Sequence, residues 1–349
     1  MPKGSLSVKV PTWKRMRSCF KESTGHPDED IGNNRECPYM TTTDLSVQLA
    51  PDNKPGLLLA NPVIAASGTF GYGTEYADVI DTRQLGAIVS KGITLKPQPG
   101  NPQPRLAETP SGMLNSIGLE NIGVQALIKE KAPLWSQWQV PVIVNIAGES
   151  IDEYAQMAEL LDGIDGISGI EVNISCPNVE NGGMEFGVNP KTASSVTLAV
   201  RSKTSLPLIV KLTPNVTDIT EIARAAAEAG ADCLTVANTY KGMAIDTQKR
   251  RPILCKKSGG LSGPAVRPLS IYLVYQVFLA VNIPIIGCGG IMNANDALEF
   301  IMAGAHAVQV GTATFANPHA MLDIVEGIGQ FIRQENVPYQ KLIGAAHDQ

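Results

Sequence analysis

The sequence lacks the excess of basic residues that is typical of nucleic-acid-binding proteins. It also lacks the long apolar runs of membrane-spanning proteins. Its 28 lysine and arginine residues are outnumbered by 33 acidic residues, so no basic face is predicted for nucleic acid or anionic lipid. No apolar run approaches the roughly 20 residues that cross a bilayer, and the N-terminal residues lack the apolar stretch of a secretory signal. We therefore expect a cytoplasmic protein that acts on a small molecule, with no nucleic-acid or membrane partner.

Cysteine is also scarce, and its spacing excludes two further classes of protein. The six cysteines among 349 residues form no Cys-x-x-Cys pair and no regular series. Neither a disulfide framework nor an iron–sulfur cluster within this chain is therefore predicted. A reducing compartment fits this cysteine usage, and we expect no bound metal.

The composition changes at about residue 44. Residues 1–43 are polar and show no periodicity that could bury a face, so we predict a disordered leader there. From residue 44 to residue 349 short β-branched apolar runs alternate with helical patterns, which indicates βαβ units in one catalytic domain. Helices are predicted at 152–161, 218–229, 268–280 and 294–303. The eight predicted strands are 58–66, 86–91, 141–146, 169–174, 208–212, 233–237, 283–287 and 307–310.

Eight strands, each followed by a helix, predict an α/β fold of the (β/α)₈ barrel type. The segment 94–121 is too long and too rich in proline and glycine for a tight connection, so it is predicted to fold over the barrel mouth. Residues 177–190 form a second long loop, which we interpret as a mobile lid. Active sites of such barrels lie at the carboxyl ends of the strands, and the informative residues are the polar ones found there.

Polar side chains follow most of the predicted strands. Two lysines and three asparagines among them would converge on one mouth, which favours a functional site over scattered loop residues. Glycine pairs after the last two strands are typical of a phosphate site formed by backbone N–H groups. These strand-end residues are Ser67, Lys91, Asn145, Asn173, Cys176, Lys211, Asn238, Thr239, Gly289, Gly290, Gly311 and Thr312.

The loop 173–178, which reads NISCPN, resembles the active-site loop of the dihydroorotate dehydrogenases. Four further motifs occur in the order of that family, namely ASGTFG at 66–71, NSIGL at 115–119, VKLTPN at 210–215 and GGLSGP at 259–264. The cysteine in the loop is similar to the base of the class 1 enzymes. The segments 115–119 and 259–264 are most similar to class 1B, whose catalytic subunit works with a subunit that carries FAD and an iron–sulfur cluster and reduces NAD.

The resemblance implies an FMN-dependent oxidation of dihydroorotate to orotate in pyrimidine biosynthesis, in a homo-oligomeric core. Cys176 would be the catalytic base. The implied FMN contacts are Ser67, Lys91, Gly92, Asn145, Asn173, Lys211, Ala237, Gly263, Gly289, Gly290, Gly311 and Thr312. The implied substrate contacts are Lys91, Asn115, Ser116, Ile117, Gly118, Leu119, Asn173, Asn178, Asn238 and Thr239.

Three alternatives stay open at this point. One is a related FMN barrel of the dihydropyrimidine dehydrogenase type, although its loop reads Cys-Pro-His where this chain has Asn178. Another is an aldolase or lyase that forms a Schiff base on Lys211 beside the phosphate site. The last is a barrel without activity that serves only as a binding subunit.

Overall fold

Eight parallel strands form a closed barrel in the computed structural model, which describes residues 44–175, 177–178 and 184–347. Neighbouring barrel strands follow one another along the chain, and the last pairs with the first. Most of their side chains are apolar and fully buried, as expected where helices cover a parallel sheet. The predicted (β/α)₈ barrel is thereby confirmed. Its strands are β1 (Val63–Ala65), β2 (Ala87–Val89), β3 (Val142–Ile146), β4 (Gly169–Asn173), β5 (Leu208–Lys211), β6 (Cys233–Val236), β7 (Ile285–Cys288) and β8 (Ala307–Val310).

Helices connect the barrel strands from β2 onward, and several begin at the side-chain caps that the sequence offers. Ser150 Oγ accepts the N–H of Glu153 at 3.3 Å, and Asp218 Oδ1 accepts the N–H of Thr220 at 2.8 Å. The α-helices of the described residues are α1 (Val124–Glu130), α2 (Ala132–Trp135), α3 (Ile151–Leu161), α4 (Pro190–Arg201), α5 (Ile219–Glu228), α6 (Arg267–Phe278), α7 (Ala294–Met302), α8 (Ala313–Ala316) and α9 (Ala320–Glu335). The 3₁₀ turns that follow β4 in the described residues are Phe186–Val188, Pro264–Val266, Tyr339–Lys341 and Ala345–His347.

The expectation that a helix follows every strand is wrong for the first strand. Between β1 and β2 the chain forms two 3₁₀ turns, Thr74–Tyr76 and Thr82–Gln84, and no α-helix. Gly68, Gly71 and Gly73 have positive φ values of 90°, 61° and 86°, so no right-handed helix can run through residues 68–73. The connection is therefore made of tight turns.

The predicted strand 58–66 consists of two strands. Leu58–Leu59 pairs antiparallel with Val47–Gln48 outside the barrel, and only Val63–Ala65 joins the barrel. Pro62 lies between the two halves and has no N–H for a ladder, while Asn61 Oδ1 accepts the N–H of Val63 at 3.1 Å. The chain thus turns inside a run that apolar periodicity does not divide.

A four-stranded antiparallel sheet joins the two long segments that follow β2 and β6. Leu106–Thr109 and Gly112–Asn115 form a hairpin after β2, while Tyr240–Gly242 and Gly259–Ser262 follow β6. The two hairpins pair through Gly112–Asn115 and Gly259–Ser262. The long segment after the second strand is therefore an ordered insertion at the carboxyl-terminal side of the barrel, as predicted. Its partner after β6 was not expected from the sequence.

Two predicted segments fall wholly or partly outside the described residues. The leader 1–43 is one, so its disorder stays a prediction. Of the lid 177–190, residues 179–183 lie outside the description, and at its ends Pro177–Asn178 pairs antiparallel with Met184–Glu185.

A further small hairpin pairs Ile245–Asp246 with Arg251–Pro252. No helix in the described ranges is long and apolar enough to span a membrane.

His306, immediately before β8, is a buried histidine from which we predict a loss of stability in acid. Its Nδ1 accepts the N–H of Ile285 at 3.3 Å, which requires that nitrogen to be unprotonated. Burial lowers the pKa of His306 below its ordinary value, and a hydrogen bond with Gly304 offsets this only in part. The unfolded chain then binds the proton more readily than the folded chain. Stability should therefore fall as the pH drops through the ordinary histidine pKa of about 6.5.

We expect His306→Asn to lose part of this acid sensitivity, because the amide oxygen can still accept the Ile285 N–H but does not titrate. Melting temperatures between about pH 7.5 and pH 5 measure the effect. His319→Asn replaces an exposed histidine and is the matched control, which should keep the full pH dependence. Equal pH dependence in His306→Asn and in the unmodified chain would contradict the prediction.

Candidate active site

Five barrel strands place polar side chains together inside the barrel. Lys211, the last residue of β5, is in register with Asn173 at the end of β4 and with Thr235 on β6. Glu171 lies two residues before Asn173, so it is on the same face of β4 and one layer deeper. Five polar residues lie together there, and each exposes 6% of its surface or less. We call the group the interior cluster: Asn145, Glu171, Lys211, Thr235 and Gln309.

Glu171 is the centre of the interior cluster. Its Oε1 accepts a hydrogen bond from Asn145 Nδ2 at 2.7 Å, and its Oε2 accepts from Thr235 Oγ1 at 2.8 Å and from Gln309 Nε2 at 2.5 Å. Lys211 Nζ lies 3.8 Å from Glu171 Oε1 and donates to Gln309 Oε1 at 3.0 Å. Three neutral donors and one cation thus surround one carboxylate, as a buried charge requires.

Lys211 is a fixed cation at neutral pH. Burial alone would lower the pKa of its ammonium group, because the charge loses hydration. Attraction to Glu171 and then to Cys288 outweighs burial, so the pKa of Lys211 is raised above its ordinary value. The side chain therefore supplies positive charge and is not a neutral amine.

Asn173 and Asn238 bring two side-chain amides together at the ends of β4 and β6. Asn238 Nδ2 donates to Asn173 Oδ1 and to Ser175 Oγ, both at 3.1 Å. Asn238 Oδ1 accepts the N–H of Thr239 at 2.8 Å. Amides offer both donors and acceptors, so this pair suits a planar ligand that carries both. Asn173 precedes the predicted base, Cys176, by three residues in the chain.

Gly92 and Asn145 leave a buried acceptor open. Asn145 Oδ1 is buried and has no hydrogen-bond partner within the described residues. A Cβ atom at Gly92 would lie 2.9 Å from that oxygen and 3.7 Å from Leu119 Cδ2. An unpaired buried acceptor costs roughly 1–3 kcal/mol, so this oxygen is suited to an N–H group of a ligand. Any larger residue at position 92 would crowd it.

The backbone after β7 is too crowded for side chains. Gly289 and Gly290 have φ values of 131° and 79°, which glycine adopts readily and other residues rarely do. A Cβ atom at Gly289 would lie 2.4 Å from Ser270 Oγ, and one at Gly290 would lie 2.8 Å from the carbonyl oxygen of Gly263. These contacts explain why glycine occupies positions 289 and 290.

Unpaired backbone donors accompany these glycines. In the part of the chain that the structure describes, the N–H groups of Gly290, Gly311 and Thr312 donate no hydrogen bond. Thr312 Oγ1 donates to Ser262 Oγ at 2.8 Å, which ties the end of β8 to the four-stranded sheet. A Cβ atom at Gly311 would make only ordinary contacts, the nearest at 3.5 Å. Free N–H groups of this kind suit the oxygens of a phosphate.

The predicted substrate segment 115–119 belongs to the insertion after β2. Asn115 Nδ2 donates to the carbonyl oxygen of Gly260 at 3.2 Å, across the four-stranded sheet. Leu119 has a positive φ of 53°, and its carbonyl oxygen accepts from Asn121 Nδ2 at 2.6 Å. Leu119 also lies beside Gly92, so the segment lies against the end of β2. Predicted substrate contacts and a predicted FMN contact, Gly92, are therefore neighbours.

Three further predicted residues follow β1, β2 and β6. Lys91 is half-buried and its N–H donates to the carbonyl oxygen of Gly71 at 2.7 Å. Its ammonium group forms no ion pair with any described carboxylate. Ser67 is half-buried, and Ala237 is buried with its N–H donating to the carbonyl oxygen of Cys288 at 3.1 Å. Lys91 is thus a cation available to an anionic ligand.

Two predicted residues are not placed. Cys176, the predicted base, lies outside the described residues. Asn178 is described only through its backbone, which belongs to the strand Pro177–Asn178. Their roles therefore remain predictions. Their described neighbour Ser175 is half-buried and bonded to Asn238.

Glu171, Thr235 and Gln309 were missed by the sequence analysis. Each lies inside an apolar strand, whereas the sequence pattern of a barrel points only to the polar residues that end a strand. The available signal was a charged or amide side chain in a run buried on both faces. Such a residue needs buried partners, and those partners must come from neighbouring strands.

The fold and the site define a (β/α)₈-barrel protein with its polar groups gathered at the carboxyl-terminal side of the strands, the arrangement of barrel enzymes. A family model described as dihydroorotate dehydrogenase matches residues 50–332 of this chain. The chain belongs to the dihydroorotate dehydrogenase family.

Individual relatives agree with that assignment. The chain is 58% identical over 290 residues to the catalytic subunit of dihydroorotate dehydrogenase B (NAD⁺) from Desulforamulus reducens. The matched residues are 83% of this chain and 95% of that protein. It is 52% identical over 307 residues to the subunit of the same name from Geotalea uraniireducens, with 88% and 99% covered. The subunit from Trichlorobacter lovleyi is 54% identical over 290 residues, with 83% and 95% covered. The predicted resemblance to the class 1B catalytic subunit is confirmed.

We expect Gly290→Ala to destabilise the fold by about 1–3 kcal/mol more than Gly163→Ala, as measured by urea unfolding. Gly163 is the matched control because its φ of 72° is also left-handed, but a Cβ atom there would meet nothing within 4 Å. At Gly290 the added carbon would meet the backbone of Gly263 and Arg267. Equal losses at the two positions would show that the backbone after β7 has room for a side chain.

Proposed function

We propose that this chain oxidises dihydroorotate to orotate, a step of pyrimidine biosynthesis, with FMN as its cofactor. The observation that supports this most directly is the hydrogen bond between the Asn173 and Asn238 side chains, because Asn173 is in register with the cation Lys211 and precedes Cys176 by three residues. A ligand with amide edges and a cofactor that gains negative charge would both find matching groups there. Family membership adds the reaction class.

The residues present fit FMN. The free Oδ1 of Asn145 suits an N–H group of the flavin ring, and the open N–H groups of Gly290, Gly311 and Thr312 suit its phosphate. Lys211 would supply the positive charge that stabilises a reduced flavin ring. The remaining proposed FMN contacts are Ser67, Lys91, Gly92, Asn173, Ala237, Gly263 and Gly289.

Orotate is planar, carries a carboxylate and has amide donors and acceptors. Lys91 follows β2 and forms no ion pair with a described carboxylate, so we assign it to the carboxylate of the substrate. Asn173, Asn238 and Thr239 would contact the amide edges, together with Asn178. The segment 115–119 would close the site from the insertion after β2.

Oxidation removes a proton from C5 and a hydride from C6 of dihydroorotate and leaves a double bond between them. FMN, when bound, supplies the hydride acceptor. Cys176 is the proposed base: its thiolate takes the C5 proton and becomes a thiol, and the electron pair of that C–H bond forms the double bond. A thiol with an ordinary pKa of about 8.5 can do this near neutral pH.

The environment of Lys211 disfavours the Schiff-base alternative. A lysine nucleophile must be a neutral amine, and enzymes lower its pKa to make it one. Here the ion pair with Glu171 raises the pKa of Lys211, and its Nζ already donates to Gln309. We therefore assign Lys211 to charge stabilisation.

The names of the relatives suggest a second subunit. These relatives are catalytic subunits of an NAD⁺-linked enzyme. The present sequence has neither a dinucleotide-binding motif for NAD⁺ nor a cysteine cluster for an iron–sulfur centre. We propose that electrons leave through a partner carrying FAD and an iron–sulfur cluster, in a cytoplasmic assembly built on a homo-oligomeric core.

The function is tested by the flavin and by Cys176. The purified chain should bind FMN, and anaerobic dihydroorotate should bleach it. Cys176→Ala should keep FMN and orotate binding but reduce its flavin about 10²–10⁴-fold more slowly in stopped flow, the usual contribution of a general base. Cys176→Ser should keep some activity that rises with pH, because a hydroxyl is a much weaker acid than a thiol. A colourless chain that cannot be loaded with FMN would refute the proposed function, and a wild-type rate in Cys176→Ala would refute the assigned base.

We also expect the isolated chain to reduce NAD⁺ poorly even when dihydroorotate bleaches its flavin. The same preparation therefore provides its own control, since substrate oxidation and NAD⁺ reduction are followed at separate wavelengths. Efficient NAD⁺ reduction by the chain alone would contradict the need for a partner.

A further inference from the structure

Glu171 has no assigned role in the proposed reaction, yet its carboxylate is completely buried. It lies one layer below Asn173 on β4, deeper in the barrel than the residues assigned to substrate. A charge buried this deeply destabilises the fold unless it is paired and all of its hydrogen-bonding positions are satisfied. Apolar residues would fill the same space with a smaller loss of stability. Its presence therefore calls for a reason.

Within the described residues, every hydrogen bond to the Glu171 carboxylate is donated to it. Asn145 Nδ2, Thr235 Oγ1 and Gln309 Nε2 are all donors, and Lys211 Nζ is the nearby cation. An ionised carboxylate only accepts, whereas a protonated one must also donate. The surroundings of Glu171 are thus those of an ionised group.

Glu171 acts on Lys211 in two ways. The first is direct attraction across 3.8 Å. The second runs through Gln309, because the carboxylate takes the Nε2 end of that amide and so turns its Oε1 toward Lys211 Nζ, 3.0 Å away. Replacing the carboxylate by an amide would remove the attraction and offer a donor where Gln309 now donates, which would favour turning the Gln309 amide away from Lys211.

We propose that Glu171 is a positioning residue that keeps the Lys211 ammonium charged and fixed at the flavin. The inference rests on the proposed function for the identity of the cofactor, but the pairing itself does not. Lys211 then presents the same positive charge over the whole working pH range.

Among the residues that the structure describes, the titratable groups that act on Lys211 are Glu171 from β4 and Cys288 from β7. Burial opposes the charge on Lys211, and Glu171 is the largest of the effects that favour it. Burial also raises the pKa of the Cys288 thiol, although Lys211 counteracts this, so Cys288 is no substitute for the carboxylate. Without Glu171, burial should dominate and the pKa of Lys211 should fall.

The direct test is the titration of Lys211 in the full chain without FMN, followed by NMR of isotope-labelled lysine side chains. Lys211→Met identifies the signal. In the unmodified chain Lys211 should titrate at higher pH than an exposed lysine such as Lys54, and in Glu171→Gln it should titrate at lower pH than in the unmodified chain. Thr235→Val is the matched control, since it removes a donor to the same carboxylate but keeps the charge, and its Lys211 signal should stay close to that of the unmodified chain.

The second readout is the midpoint potential of the flavin-loaded chain as a function of pH. Glu171→Gln should add a pH-dependent fall in potential where Lys211 loses its proton, because the reduced flavin loses its positive partner. The double variant Glu171→Gln/Lys211→Met should lack that step, as should Thr235→Val.

An unchanged Lys211 titration in Glu171→Gln would overturn the inference whether or not FMN binds. If Glu171→Gln does not fold, the unmodified chain still decides, because a Lys211 that titrates below the exposed lysines would show that the carboxylate does not hold its charge. Failure to bind FMN, with the expected lysine titrations, would instead refute the proposed function and leave the pairing intact.

Discussion

The attraction between Glu171 and Lys211 is the interaction on which the barrel interior depends. Both charges are removed from water, and each is tolerable only because the other is present. Removing one partner of a buried pair typically costs about 3–5 kcal/mol, a large part of the roughly 5–15 kcal/mol that stabilises a domain. Asn145, Thr235 and Gln309 complete the arrangement from three other strands. The pair therefore constrains the register of five strands as well as the chemistry above it.

In the proposed function, this constraint gives the two lysines different roles. Lys211 is committed to its buried partner, so its charge is constant and suited to a cofactor that becomes more negative on reduction. Lys91 forms no ion pair with a described carboxylate and is half-buried, so its charge is available to an anionic substrate. Asn173 and Asn238 lie above the pair, where substrate and cofactor would meet. The four-stranded sheet then joins the two insertions that flank this region.

The sequence allowed the barrel and most of the strand-end residues to be predicted, because both follow from local patterns. Parallel buried strands give apolar runs, and the residues that end them face the mouth. The run 58–66 was assigned as one strand because apolar periodicity does not register the turn at Asn61 and Pro62. The helix expected after β1 is absent because that connection folds as 3₁₀ turns.

Glu171 and Gln309 were missed for a different reason. Each becomes meaningful only through partners that are distant in the chain, 138 residues apart in the case of this pair. The same holds for the four-stranded sheet, in which Asn115 meets Gly260, 145 residues later. Local patterns do not specify such pairings, so the sequence could reveal which residues end the barrel strands but not which distant residues form hydrogen bonds with them.

The proposed binding site is tested most directly by a crystal structure of the chain with FMN and orotate bound. We expect the flavin ring to contact Lys211 Nζ and Asn145 Oδ1, the phosphate to bind at residues 289–290 and 311–312, and orotate to contact Asn173 and Asn238. Electron density for either ligand away from these groups would contradict the proposed site. So would a Lys211 side chain that contacts only apolar atoms of the ligands.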